Sequence, residues 1–210
     1  MSNFAEISAA LQKGRAKIVK QLIEQALAEG VKPNDIIENA LLDGMSIVGE
    51  KFKNNEVFVP EVLIAARAMN AGMDLLKKHM AGEGLESKGT AILGTVKGDL
   101  HDIGKNLVKI MLEGKGLTVI DLGTDVSAEK FVEAAVANNA KLICCSALLT
   151  TTMSEMKAVV DLCVEKGIRD QVKIMIGGAP VTQSYCDTIG ADCYTADAAS
   201  ASDAALSFCK

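Results

Sequence analysis

The sequence predicts an α + α/β chain: an N-terminal four-helix bundle followed by a doubly wound, five-stranded parallel sheet. Three observations predict it. Apolar residues recur at spacings of three and four up to about residue 80. From Thr90 onward, short runs rich in β-formers alternate with helical stretches. Between the two lies "GEGLESKG", glycine-rich and charged, with Leu85 as its one bulky apolar residue. The expected division is residues 1–81, a linker at 82–89, and residues 90–210.

In the first part, a short helix runs near Phe4 to Leu11. Ile18, Leu22 and Ala26, with Ile23 and Leu27, form the next stripe, and Gly30 stops it. Pro33 opens a third helix through Ile37, Leu41, Met45, Val48 and Phe52. The turn "KNNEVFVPE" breaks that helix and Pro60 opens the fourth, whose stripe is Ala65, Met69, Met73, Leu76 and Met80. Such one-sided faces bury one another in a bundle.

In the second part, "TAILGTV" is a strand, followed by a polar loop and a helix from about Ile103 to Glu113. "LTVIDLG" is the second strand, and Ser127 caps a helix to Ala137. "KLICCSALL" precedes a helix at Ser154 to Glu165, and "VKIMIGG" a helix around Thr182 to Thr188. "ADCYTA" is a short fifth strand before a terminal helix that ends near Phe208. Gly116, Gly167 and Gly190 fall just past helix ends, where left-handed caps are needed. Strands alternating with helices imply a parallel sheet covered on both faces, the flavodoxin-like order being 2-1-3-4-5.

Composition narrows the function. Net charge is −5 with no basic cluster and no tryptophan, which argues against a nucleic-acid partner. No run approaches the ~20 apolar residues of a membrane span, and the N-terminus lacks a signal-peptide layout, so the expected compartment is the cytoplasm. The six cysteines include no C-x-x-C pair and read as reduced core residues. His79, one of two histidines, reads as a helix-end residue beside the negative dipole.

The other histidine stands in "GTVKGDLHDIGKN", in the loop after the first strand. Open α/β sheets bind ligands beyond the carboxyl ends of their strands, at the switch point. Three groups reach that edge: Asp99, His101 and Gly104 after the first strand, Ser146 and Leu148 at the end of the third, and Gly177 and Gly178 at the end of the fourth. The first loop is neither G-x-G-x-x-G nor G-x-x-x-x-G-K-[ST], so dinucleotide and phosphate-loop readings fail. "CCSALLTTT" also lacks the aspartate a phospho-acceptor module would place after its third strand.

Taken together, Asp99-x-His101-x-x-Gly104, Ser146-x-Leu148 and Gly177-Gly178, about forty and about thirty residues apart, resemble the cobalamin signature of methyltransferase corrinoid proteins. "GMSIVGEKFKNNEVFVPEVLIAARAMNAGMDLL" is similar to the helical cap preceding the cobalamin module in that family and in methionine synthase. "SALLTTTM" and "IGGAPVT" resemble the stand-alone carriers of methanol, methylamine and O-demethylase systems.

The resemblance implies a bound cobalamin with its dimethylbenzimidazole displaced and His101 as the lower cobalt ligand. Asp99 would fix the imidazole's tautomer, with Ser146 bonding the carboxylate in turn, so that a proton follows the cobalt's oxidation state. Asp102, Ile103 and Gly104 would border the cofactor at the helix start. Ser146, Leu148, Thr150 and Thr151 would line a slot for the nucleotide tail, and Gly177 and Gly178 would leave room for its base. Met69 and Met73 would face the upper side of the corrin, and the linker would be the hinge of the cap.

The function implied is a methyl carrier served by a substrate:corrinoid methyltransferase, a second methyltransferase acting on a pterin or thiol, and a reductive activase. The alternatives are a cobalamin sensor or store, and a small adenosylcobalamin mutase subunit. The sensor would normally add a DNA-binding module, and the mutase subunit would lack the helical first part.

Overall fold

Proline starts and glycine stops set the helices of the first unit in the computed structural model, which describes residues 4–80 and 87–210. These are α1 (Phe4–Gln12), α2 (Ala16–Ala28), α3 (Pro33–Ile36), α4 (Asp43–Lys53) and α5 (Val59–His79). Pro33 and Pro60 both sit in a first turn, where a missing N–H costs nothing. The third predicted helix is realised as α3, a π-helical turn at Ile37–Leu42, and α4 in unbroken succession. The adjacent pairs Ile36–Ile37 and Leu41–Leu42 are all buried along this stretch. Six residues of the expected linker's neighbourhood, 81–86, lie outside the described residues, and with them most of the proposed hinge. The three that follow are anchored: Ser87 Oγ accepts hydrogen bonds from the Thr118 amide and hydroxyl at 3.2 and 2.9 Å.

The second unit alternates β1 (Thr90–Thr95), α6 (Ile103–Gly114), β2 (Thr118–Asp121), α7 (Ala128–Ala137), β3 (Leu142–Ser146), α8 (Ser154–Glu165), β4 (Lys173–Gly177), α9 (Gln183–Ile189), β5 (Cys193–Tyr194) and α10 (Ala198–Phe208). All pairs are parallel, in the order β2-β1-β3-β4-β5. The period of two divides the core between the two faces. Ile92, Ile143 and Ile174 pack with Phe131, Val159 and Cys186 on one face. Leu93, Leu142, Cys144 and Met175 pack with Leu112 and Ala205 on the other. All six cysteines are free, and burial pushes the Cys144 thiol up to about 12, so it behaves as a small hydrophobe.

Helix caps follow the sequence with one variation. Thr182 and Asp197 accept from the amides of Tyr185 and Ser200, and Gly116, Gly167 and Gly190 take positive φ. Ser127 holds the N-cap position of α7 in extended backbone, but its side chain makes no capping hydrogen bond.

One buried ion pair joins α6 to the sheet. Lys105, 3% exposed, donates to Asp121 Oδ1 at 2.6 Å and to Asn106 Oδ1 at 2.8 Å. Burial pushes the Asp121 carboxyl up, but Lys105, the Gly123 amide and Lys109 outweigh it and hold the group below the usual carboxylate range. The pair's contribution is therefore full above the unfolded value of about pH 4 and is lost as pH falls through it toward the lower folded value. Lys105→Met should cost about 3–5 kcal/mol at pH 7, the range for stranding one member of a buried pair. Urea denaturation at pH 7 and pH 3 checks this: the gap between wild type and variant should shrink at the lower pH.

Candidate cofactor-binding site

The switch point of this sheet lies between β1 and β3, and the loops that follow them converge on one carboxylate. Asp99 is fully buried and accepts five hydrogen bonds. Its Oδ1 takes the His101 amide at 3.1 Å and the His101 ring Nδ1 at 2.7 Å. Its Oδ2 takes the Leu148 amide at 2.8 Å, the Leu149 amide at 3.2 Å and the Thr152 hydroxyl at 2.9 Å. Burial raises the pKa of such a group, but here His101, Leu148 and Thr152 prevail and hold it well below the usual carboxylate range.

The ionised carboxylate can only accept, so the proton of a neutral His101 resides on Nδ1 and the lone pair on Nε2. Nε2 makes no hydrogen bond among the described residues, and the side chain is 51% exposed. Around it the loop is fixed by main-chain contacts. Thr95 Oγ1 donates to the His101 carbonyl at 2.8 Å, and Asp125 Oδ1 accepts from the Gly98 amide at 2.7 Å.

The predicted residues separate into groups. Asp99, His101 and Leu148 meet directly. Asp102, Ile103 and Gly104 are exposed at the start of α6, and a Cβ added at Gly104 would meet nothing within 4 Å. Gly178 has φ +133°, and a Cβ there would come 1.8 Å from the Ala147 carbonyl oxygen, so only glycine allows the β3 and β4 exits to lie this close. Gly177 stands beside Ser146 in the ladder. Thr150 and Thr151 are exposed on the turn before α8. Met69 is buried and Met73 half-buried on α5 of the helical unit.

One expectation is corrected. Ser146 was to bond Asp99, but that place belongs to Thr152. Ser146 is the last residue of β3, paired with Thr95 and Gly177, and the chain must turn back before a hydroxyl reaches the carboxylate. Thr152 is buried at that turn, its single hydroxyl proton within reach of both the carboxylate and the Leu149 carbonyl at 2.9 Å. "SALLTTTM" contains three consecutive threonines, and sequence gives no means of choosing among them before the turn is known.

The donor set fits a corrinoid. A half-exposed imidazole offers Nε2 to a metal, with a carboxylate behind Nδ1 to fix its tautomer. Beside it Leu100 and Ile103 are 72% and 79% exposed, apolar surface suited to a large flat ligand.

Comparison with known proteins agrees. A B12 binding domain model matches residues 89–206, and a second B12 binding domain model matches residues 4–77. The chain is 46% identical to trimethylamine corrinoid protein 1 of Methanosarcina acetivorans, over 85% of this chain and 83% of that one. The chain belongs to the corrinoid proteins. The dimethylamine corrinoid protein of Methanosarcina barkeri is 44% identical over 93% of this chain and 92% of its own. Among solved structures, the methanol:cobalamin methyltransferase complex MtaBC from Methanosarcina barkeri matches with a TM-score of 0.88 and 33% identity, covering 96% of this chain and 78% of that one. Membership explains why two helical and α/β units accompany each other here: both carry B12-binding models.

Gly178 is the most exacting position in this corrinoid protein's site. Gly178→Ala must both enter a positive-φ region and displace the Ala147 carbonyl. Each effect costs about 1–3 kcal/mol, so thermal unfolding should fall by several degrees and cobalamin uptake should weaken with it.

Proposed function

We propose that this chain is a methyl carrier whose corrinoid is held with His101 Nε2 on cobalt and its own dimethylbenzimidazole displaced. The observation that supports this most is the Asp99–His101 pair, 2.7 Å apart, with Nε2 unbonded among the described residues at the switch-point edge. The corrinoid, when bound, supplies a cobalt centre that takes up a methyl group and gives it up again.

The chain's own residues orient and tune. Asp99 holds the proton at Nδ1, which keeps the Nε2 lone pair available. Thr152 and the amides of Leu148 and Leu149 keep Asp99 ionised and prevent it from turning away. Leu100, Ile103 and Leu148 offer apolar area to the ring system, and Gly104 leaves space at the start of α6 for the tail. Ser146, Thr150, Thr151, Gly177 and Gly178 border the rest of that path.

Corrinoid proteins work with substrate:corrinoid methyltransferases, as in the complex to which this fold is similar. We assign three partners: such a methyltransferase, a second one that passes the methyl group to a pterin or thiol, and a reductive activase. The donor we infer is a methylated amine. Amine corrinoid proteins match at 44–46% identity, whereas the methanol system matches at 33%. The compartment we assign is the cytoplasm, where six free cysteines stay reduced. No helix of the described residues is long and apolar enough to cross a membrane.

Reconstitution with hydroxocobalamin tests the ligand. In protein grown with nitrogen-15 histidine, electron paramagnetic resonance of the reduced cobalt form should show the hyperfine pattern of the labelled imidazole. His101→Ala should lose it and bind cobalamin more weakly. Persistence of the dimethylbenzimidazole-bound spectrum in wild type would sink the assignment. Thr152→Val should weaken cobalamin binding by about tenfold, the low end for a lost outer partner of a metal ligand, while Ser146→Ala should leave the Asp99–His101 pair intact. Methyl transfer from mono-, di- and trimethylamine and from methanol, each with its methyltransferase, checks the donor class; transfer from methanol alone would overturn it.

A further inference from the structure

The connection between β2 and α7 supplies no part of the cobalamin signature, yet it grips the ligand loop at three points. The Asp125 amide donates to the Asp99 carbonyl at 3.0 Å, and Asp125 Oδ1 accepts from the Gly98 amide at 2.7 Å. One turn of chain away, the Thr95 amide donates to the Gly123 carbonyl at 2.9 Å, and Thr95 Oγ1 in turn holds the His101 carbonyl. Asp99 is thus fixed from two sides: its carboxylate by the loop after β3, its backbone by Asp125.

The backbone of Asp125 is unusual. Its φ is +54°, and among the described residues only Asn55 and Asn139 are other non-glycine positions with positive φ. Those two end α4 and α7, where a left-handed residue is routine. Asp125 ends no helix. It is exposed, so no core packing forces it into this region, and the conformation persists because both of its hydrogen bonds need it. With φ reversed, the amide and the carboxylate could not reach Asp99 and Gly98 together.

We propose that Asp125 is a positioning residue for the cobalt ligand, setting through Gly98 and Asp99 the angle at which His101 is presented. This rests on the reading of His101 as axial ligand. The mechanism is geometric. The imidazole follows the Asp99 carboxylate, the carboxylate follows its own backbone, and that backbone is held by Asp125 and by the Asp99 amide's bond to Val96 at 3.1 Å. Slack at Asp99 therefore reaches Nε2 magnified along two side chains.

Two substitutions separate conformation from hydrogen bonding. Asp125→Gly accepts the positive φ but removes the acceptor for Gly98. Asp125→Asn tolerates the same φ and keeps a carbonyl oxygen in that place. Full-length proteins labelled with nitrogen-15 histidine are titrated with hydroxocobalamin, and the imidazole hyperfine pattern of the reduced form is recorded beside thermal unfolding. Asp125→Gly should bind cobalamin about tenfold more weakly, the scale of one charge-assisted hydrogen bond, with a broadened or diminished imidazole pattern. Asp125→Asn should restore both to within about threefold, and neither should lower the melting temperature as Gly178→Ala does. Wild-type affinity and spectrum in Asp125→Gly would overturn the proposal, as would equal losses in both variants, which would assign the effect to charge alone. His101→Ala in the same series separates the two claims. An unchanged spectrum there removes the ligand assignment and this inference with it; a changed one beside an unaffected Asp125→Gly removes this inference alone.

Discussion

A single buried carboxylate organises this site. Asp99 has no exposure to solvent, and an ion in that position is sustained only by saturating its lone pairs. Five donors do so, and they divide by oxygen: Oδ1 serves the histidine loop, Oδ2 the loop after β3. The carboxylate is consequently both a clamp between two loops and the group that decides which nitrogen of His101 is free. Neither role survives without the other. If the β3 loop withdrew its three donors, burial would favour the protonated acid, and the acid would no longer require Nδ1 to be the donor.

The sheet makes that convergence possible. Parallel strands with β1 and β3 adjacent bring chain segments some fifty residues apart onto one edge, as the separation of Asp99 from Leu149 and Thr152 shows. Close approach of the exits then needs backbone without side chain, and Gly178 meets that need against the Ala147 carbonyl. On the other flank, Lys105 lies in the first turn of α6, where the helix dipole disfavours a cation. Asp121 compensates at 2.6 Å, and through Asn106 the same network reaches Asp102, whose Oδ2 accepts from Asn106 Nδ2 at 3.1 Å. The start of α6 is therefore tied to β2 as firmly as the loop before it is tied to β3.

Much of this was legible in the sequence, and the reason differs by feature. Strand order and helix ends follow from periodicity and from glycine and proline, which act locally, so Pro33, Pro60, Gly116, Gly167 and Gly190 fall where expected. The π-helical turn was not legible, because adjacent apolar pairs at 36–37 and 41–42 read as ordinary helix until burial is known. Asp99 and His101 were legible through the resemblance of their motif, and the contact follows because both stand in one short loop. The resemblance implies a bond from Ser146 to Asp99, but the loop after β3 folds back and delivers Thr152, the sixth residue on, to that place. Asp125 was invisible for a related reason. Its work is done by a backbone amide, a φ value and one carboxylate oxygen, and nothing in the sequence shows that these meet the ligand loop.

The distribution of polarity around His101 inverts the usual order of a folded domain. Asp99 is sealed at 0% exposure while its neighbour Leu100 and nearby Ile103 are 72% and 79% exposed. Each choice is unfavourable for the protein alone, since apolar area left in water forgoes about 25 cal/mol per Å² and a buried ion must be fully bonded. Both become favourable when a large, flat, metal-centred ligand covers the edge. The leucine and isoleucine would then lose their contact with water, and the carboxylate, already dry, holds a ring it has oriented in advance. Preorganisation of this kind places the ordering cost in folding rather than in binding. A site that violates local preferences in two opposite directions at adjacent residues is one completed by its ligand.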